Sequence, residues 1–389
     1  MSLKLREKLI VFALIVMPFT MLRIGPIGLG EFIFIVFILS ELRNKRLNVY
    51  ENNFIFSKFW IAFLSMSLVG FLCNIVFLNH RTGTYAGMAF DFTSYVLIFL
   101  SCFSLENMIK RTNLNLFKMI RVIFFWSGFL FLMLYTLSFF KNNLFGFPLN
   151  YYTYFAPLAN NLHQISLFLV PLPFLGLIVF KEEKRSSMRM VILFLIGMIF
   201  VMGVSTGSLK AIIGFTFGLI MFFFLSWLYF FKERNRGVAL SFIFILLITL
   251  LLYNIDSIIS YGLAVIVEED LKEGRVNLYS KAIDIMKTSP IFGVGPGGHI
   301  WTNSKFYDSH QTFFTVMLQA GIIGVYLLGK LFSKIIATLI KSPALFASLV
   351  TIIIYLLGGD IMRRLPTWII LVILFYYQKQ TVFSKKETI

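Results

Sequence analysis

Residues 116–140 read LFKMIRVIFFWSGFLFLMLYTLSFF. Lys118 and Arg121 stand at the start, and from Val122 onward no charge interrupts the run. A helix needs about 20 apolar residues to cross the hydrocarbon core of a bilayer, and this stretch supplies them. It lacks period-two alternation and is too long for a barrel strand, which leaves a membrane-crossing helix.

The pattern recurs along the 389-residue chain, which is 58% hydrophobic and only 14% charged, with a mean hydropathy of +0.84. Soluble domains sit near ~45–50% apolar and ~25% charged, so an ordinary cytosolic enzyme and a disordered chain are both excluded. The candidate spans in the first half are Lys8–Leu22, Ile27–Leu39, Phe54–Leu78, Ala86–Leu105, Leu116–Phe140 and Leu162–Phe180. Met190–Ser205, Leu209–Phe231, Val238–Asn254, Gln311–Phe332, Pro343–Leu357 and Thr367–Tyr377 follow. The fold class expected is all-α, a polytopic membrane protein of about 12 transmembrane helices forming one integral membrane domain over residues 1–389. Lys4, Arg6 and Lys8 before the first apolar run resemble a signal peptide, but no small-residue cleavage site follows, so this run reads as a first span or signal anchor.

The formal charge of +17 has a topological reading, since cytoplasmic loops accumulate Lys and Arg. With the N-terminus inside and the spans alternating, every inside segment carries at least three Lys or Arg, and no short outside segment more than two. Both termini are then cytoplasmic. The cations are spread over many segments rather than gathered in a patch, which argues against nucleic acid. Cys73 and Cys102 both lie in apolar runs and suggest no disulfide framework.

One long connection breaks the series, residues 255–310, between the ninth and tenth spans on the outer side. Loops of this length usually have a role. Within it Val276, Tyr279, Ile283 and Met286 recur at helical spacing opposite Asn277, Lys281, Asp284 and Thr288, the pattern of an amphipathic helix on the membrane surface or capping the bundle. Pro290 ends it, and a glycine-rich stretch follows. A second outer loop covers residues 141–161.

Ionisable groups near membrane depth are costly, by about 2.5–3.5 kcal/mol on insertion scales. On the outer side these are Lys210, Arg275, His310, Asp360, Arg363 and Arg364, with His163 and Asp91 as lesser members. Cations gathered where topology disfavours them suit an anionic ligand. Each has a plainer reading: Lys210 as a snorkelling lysine, Arg275 as a solvated arginine, and His310 and His299 as interfacial polar residues. Asp308 and Ser309 can cap the tenth span, which sets His310 at the mouth of the bundle, where a neutral imidazole can accept a proton. The histidines show no metal-ligand spacing, and GVGPGG lacks the Lys–Ser/Thr of a phosphate-binding loop. No metal and no cofactor is expected. Gly321 and Gly324 read as close helix-packing positions.

GRVNLYSKAIDIMKTSPIFGVGPGGH (274–299) followed by SHQTFFTVMLQAGIIGVYLL (309–328) resembles the signature region of the bacterial O-antigen ligase and polymerase family. That region has an arginine, an amphipathic stretch, a Pro-hydrophobic-Gly-x-Gly turn, a histidine and a GiiG. STGSLKA (205–211) resembles an upstream motif of the family, with Lys210 where an arginine is usual, and FAPLANNLHQIS (155–166) more loosely resembles a segment carrying Asn160 and Asn161.

The resemblance implies a metal-independent, GT-C-type glycosyltransferase of the bacterial cytoplasmic membrane, working on its outer face. Its substrate would be an oligosaccharide on undecaprenyl pyrophosphate, with membrane lipid around it and a chain-length regulator as a partner. By resemblance Lys210 and Arg275 bind the pyrophosphate, with Arg363 or Arg364 as a third cation. His310 is the base that takes the acceptor's proton, with inversion at the anomeric carbon. Asn160, Asn161, His163, His299, Tyr307, Asp308 and Asp360 are substrate-binding candidates. A polymerase joins two lipid-linked glycans, whereas a ligase moves the glycan to lipid A-core or another acceptor; the polymerase is favoured. A transporter or flippase fits less well, because the long loop follows the ninth span and the two halves show no likeness.

Overall fold

The computed structural model describes residues 3–25, 27–43, 54–78, 85–112, 114–230, 275–297, 299–302, 305–307, 309 and 311–387. The opening stretch forms α5, Leu116–Ser138, which Asn115 caps by accepting a hydrogen bond from the Lys118 amide at 2.9 Å. Its chain neighbours are α1 (Leu3–Val16), α2 (Leu29–Arg43), α3 (Ile55–Cys73, continued by a π turn over Asn74–Leu78) and α4 (Tyr85–Thr112). Beyond it come α6 (Leu162–Leu169), α7 (Leu172–Glu182), α8 (Ser186–Ser205), α9 (Leu209–Phe230) and α10 (Arg275–Thr288). The C-terminal helices are α11 (Thr312–Leu339), α12 (Pro343–Gly358) and α13 (Leu365–Glu387).

Among the described residues, seven helical stretches are long and apolar enough to cross a membrane: those of α3, α4, α5, α6–α7 together, α8, α9 and α11. α1, α2, α12 and α13 coincide with four further expected spans, and Val238–Asn254 lies outside the described residues. Large apolar side chains such as Trp126, Phe194 and Tyr326 stay exposed on the helices, an outer surface suited to lipid rather than water.

α13 is the hub. Every residue from Thr367 to Gln378 is buried, as befits a helix that is apolar all round, and Trp368 packs edge-on against Trp60 of α3 with ring centroids 4.8 Å apart. One end of the bundle, called here the basic end, is closed by charge. Arg6 of α1 pairs with the buried Glu41 of α2. Glu106 of α4 accepts from the Phe56 and Ser57 amides at 3.2 and 2.9 Å, and from Tyr376 Oη at 2.9 Å. A buried carboxylate is costly unless every lone pair is met; here it sits on the orphan amides of the α3 N-terminus. Between α7 and α8 Glu183 meets Arg121 at 3.1 Å, and the Arg185 amide, ahead of that guanidinium, holds its carboxyl below the usual range.

The opposite end carries short hairpins. β1 (Arg23–Ile24) pairs with β2 (Ile27–Gly28) between α1 and α2. The segment expected as a plain loop, residues 141–161, contains β3 (Asn143–Leu144) paired with β4 (Phe147–Pro148), and β5 (Asn150–Tyr151) paired with β6 (Tyr154–Phe155). β7 (Ile300–Thr302) and β8 (Lys305–Tyr307) form a fourth pair. Two- and three-residue strands are too short to show a period in sequence.

The amphipathic helix forms as α10, with Pro290 beyond its end, but its buried face is rotated from the expected one. Leu278 and Ala282 are buried against Leu318 of α11 and Ile300 of β7, whereas Ile283 is 44% exposed. The small Ala282 allows the close approach, and Tyr279 stacks on Phe314 at 5.1 Å.

Gly321, expected as a packing residue, is instead a break in α11 (φ 62°, ψ −162°). The glycine-rich stretch after Pro290 runs into that break rather than staying on the surface. Pro290 O accepts from the Ile322 amide at 2.9 Å, and the Val294 amide donates to Leu318 O at 2.6 Å. A Cβ on Gly321 would lie 2.1 Å from Ile291 O, and one on Gly295 2.6 Å from Phe71 Cα. Irregular backbone is tolerated inside a bundle when its polar groups are met by protein, as those of Pro290, Gly293, Val294 and Gly297 are.

Candidate functional site

Three elements bring the expected residues together at the hairpin end. The first is the start of α6. Asn161 is its N-cap and accepts from the His163 amide at 2.8 Å. The His163 side chain faces the α8–α9 turn, where Nδ1 lies 3.3 Å from Ser208 Oγ.

The second is the α8–α9 turn itself. Gly207 has φ +67°, and a Cβ there would strike the Tyr154 ring of β6 at 2.1 Å, so only glycine lets the turn pass under the hairpin. Thr206 closes the turn by donating to Gly203 O at 2.7 Å. Lys210 follows as the second residue of α9. Its stem runs along α12's end, where a Cβ on Gly358 would sit 3.2 Å from Lys210 Cε and one on Gly359 3.3 Å from Nζ. Two glycines thus leave the channel that the lysine stem occupies.

The third is the turn between α12 and α13. Asp360 accepts from the Met362 amide at 2.9 Å, and Trp368 Nε1 donates to Ile361 O at 3.0 Å. Thr312, at the start of α11, ties this turn down. Its hydroxyl donates to Gly359 O at 2.7 Å and accepts from the Ile361 amide at 3.1 Å. Gln311 Nε2 donates to Leu357 O at 3.3 Å. The chain immediately after position 310 is therefore fastened to the turn that carries Asp360, Arg363 and Arg364.

Between these elements lies a cavity of about 160 Å³ lined by Asn161, His163, Lys210, Asp360, Arg363 and Arg364, with Tyr355 in its wall. A second cavity of about 190 Å³ shares Arg363 and Arg364 and reaches Arg23, Glu31 and Gln164 beneath the β1–β2 hairpin. Arg363 is held by two carboxylates: NH1 meets Asp91 of α4 at 2.7 Å, and Nε lies 3.8 Å from Asp360. Asp91 is 2% exposed and also accepts from the Gly297 amide at 3.2 Å. It thereby joins α4, the glycine-rich segment and Arg363. The arrangement offers several N–H donors around a space of phosphate size.

Other expected residues fall elsewhere. Asn160 is exposed and its amide donates to Thr20 Oγ1 at 3.0 Å. His299 is buried beside β7 and does not line the cavity. Arg275 opens α10 and Tyr307 ends β8; Asp308 and His310 lie outside the described residues. Sequence reasoning missed Arg23 and Tyr355, and took in Ser208 only as part of STGSLKA. Arg23 could have been found by the argument that singled out Lys210, being another cation on a short segment that the expected topology puts outside. Nothing in the sequence flags Tyr355, whose hydroxyl lies 3.2 Å from Ser208 Oγ, 147 positions away. Among the described residues no group of His, Cys, Asp and Glu is arranged to hold a metal ion.

A family model described as O-antigen ligase matches residues 193–329, from within α8 through Lys210 and α10 into α11. The match supports the O-antigen polymerase/ligase family. No curated protein matches the chain. The first and third elements of the cavity, His163 with Asn161 and Asp360 with the arginines, lie outside the matched segment.

Proposed function

We propose that this chain is a glycosyltransferase that takes a glycan from polyprenyl pyrophosphate at the hairpin end of the helix bundle. The observation that carries the reading is the cavity that sets Lys210, Arg363 and Arg364 around a space fit for an anion, at the ends of apolar helices where charged groups are costly. Departure of a lipid pyrophosphate builds negative charge, and preorganised cations there stabilise it. Arg275, at the start of α10, is a further cation in the proposal. His310 removes the proton from the attacking hydroxyl, which reaches the anomeric carbon opposite the leaving group and inverts it. The lipid tail lies along the apolar helix surfaces. The active face is the outer face of the bacterial cytoplasmic membrane, with an undecaprenyl carrier as the lipid.

Of the two transfer reactions, polymerisation is the primary reading: the acceptor is the non-reducing end of a second lipid-linked repeat unit. Ligation to lipid A-core or another acceptor is the second reading, favoured by the description of the family model that matches residues 193–329. One incubation separates them. Purified protein in lipid receives only polyprenyl-pyrophosphate-linked repeat units, and products are sized. A ladder still on the carrier is expected for a polymerase. Without a ladder, transfer that begins when a foreign acceptor is added establishes a ligase, and no transfer in either case removes the glycosyltransferase reading.

A further inference from the structure

A groove of about 790 Å³ runs between α1 and α5, apart from the candidate site. Its α1 wall is the stripe Lys4, Lys8, Val11 and Ile15, residues three and four apart and therefore on one face of the helix. Its α5 wall is the stripe Lys118, Val122, Trp126, Phe129 and Met133, at the same spacing. Each stripe begins with lysine and continues apolar, and both helices start at the basic end. The groove is thus cationic at one end and apolar along the rest. At about 1.5 Å per residue it extends about 18 Å from Lys4 to Val16, close to the ~15 Å that one leaflet gives to the hydrocarbon core.

Charge at the start of α1 is sorted by face. Arg6 is buried and pairs with Glu41. Lys4, Lys8 and Lys118 are exposed, and among the described residues none of them pairs with a carboxylate. Lys4 and Lys8 stand four apart, a spacing at which like charges repel. Lys4 and Lys118 lie in the first turns of their helices, where the helix dipole disfavours cations. A phosphate set among the three relieves both conflicts. Among the described residues Glu7 is the one carboxylate in the lining, which leaves a net of two positive charges to meet the single negative charge of a phosphodiester. Lysines that only set topology need not converge, yet these converge on one groove from helices far apart in sequence.

We infer that this groove binds an anionic phospholipid of the leaflet at the basic end, with its phosphate among Lys4, Lys8 and Lys118 and an acyl chain along the apolar stripes. Basic pockets between membrane helices recognise anionic headgroups in this way. The inference is independent of the glycosyl-transfer reading, whose cations lie at the hairpin end. A polyprenyl carrier would present its phosphates there and leave the three lysines unmatched.

Trp126, 66% exposed in the groove, supplies the readout. The full-length protein is placed in phosphatidylcholine nanodiscs that contain a minor fraction of phosphatidylglycerol or phosphatidylcholine brominated on its acyl chain. Quenching of Trp126 is the difference from the Trp126→Phe protein. Brominated phosphatidylglycerol is expected to occupy the groove at least about tenfold more readily, since each lysine beside an anionic lipid is worth about fivefold and Glu7 offsets one of the three. Changing Lys4, Lys8 and Lys118 together to Gln removes the preference, whereas Glu7→Gln raises it. Changing Lys181, Lys184 and Lys341 together to Gln takes the same charge from elsewhere at the basic end and keeps it. Equal quenching of the wild type by the two brominated lipids overturns the inference, as does equal loss of preference in the two triple variants. If polyprenyl pyrophosphate at the same fraction relieves the quenching by brominated phosphatidylglycerol, the groove holds the carrier and the inference fails as well.

Discussion

Removing Asp91 probes the junction on which the arginines depend. Asp91 is 3% exposed at its side chain and Arg363 26%. Breaking a buried ion pair by deleting one partner costs about 3–5 kcal/mol, because it strands the other charge. Here the figure is smaller, since Arg363 is a quarter exposed and keeps Asp360 at 3.8 Å; about 2 kcal/mol remains for the stranded guanidinium. The Gly297 amide, 3.2 Å from Asp91 Oδ2, loses its acceptor as well, for about 1 kcal/mol more. Asp91→Ala should therefore lose about 3 kcal/mol, and Arg363→Ala about 2–3 kcal/mol by stranding the carboxylate. The double variant strands neither charge and should lose about 3 kcal/mol rather than the sum, a coupling of about 2 kcal/mol. Equilibrium unfolding in mixed micelles of rising SDS content, followed by tryptophan fluorescence, measures all four proteins. Losses that add within about 0.5 kcal/mol would show that the two residues do not act on each other, and the account of how Arg363 is held would fall.

Gly321→Ala should lose at least about 3 kcal/mol in the same unfolding assay, since its φ and the 2.1 Å approach of Ile291 O both exclude a Cβ. Gly329→Ala, with open space around it, should instead gain up to about 1 kcal/mol; similar outcomes for the two would refute the break in α11. Lys210→Ala should reduce transfer by about 10²-fold or more through loss of charge at the leaving group, while Lys210→Arg keeps most of the rate. Equal loss from both would mean that the glycine-lined channel demands the lysine shape. His310→Ala should reduce transfer by about 10²–10⁴-fold with an unchanged yield of folded protein; activity near wild type would remove it as the base.

The apolar runs were readable because span length and hydrophobicity are local properties. α13, one of the shortest candidates in the sequence, was legible as an apolar run from Trp368 to Tyr377, but its central place was not. Lys210, Arg363 and Arg364 were legible for a different reason: the expected topology made them conspicuous as cations on the side where Lys and Arg are few. Asn161, expected as a substrate-binding residue, is also the N-cap of α6, a role that its place before an apolar run would have suggested. What escaped was everything decided between distant segments. Ser208 and Tyr355 are 147 positions apart, and Asp91 and Arg363 are 272 apart; neither pair leaves a mark on its own neighbourhood. The rotation of α10 escaped because its buried face depends on the small Ala282 fitting Leu318 and Ile300, a matter of shape rather than of period.

The glycine-rich segment has a consequence for the order in which the protein is assembled. Asn74 Nδ2, at the end of α3, donates to Val294 O across 220 positions of chain, and a Cβ on Gly70 would touch Phe292 O at 2.5 Å. α3 is made early and must wait, with this notch empty, until most of the chain has left the ribosome. Contacts of such long sequence separation are slow to form. Up to that moment the notch in α3 has no filling, and the Ile322 amide at the break in α11 gains its partner only as the two segments meet. The seating of the glycine-rich segment and the joining of α3 to α11 thus fall together, and a chain stopped before Pro290 has neither.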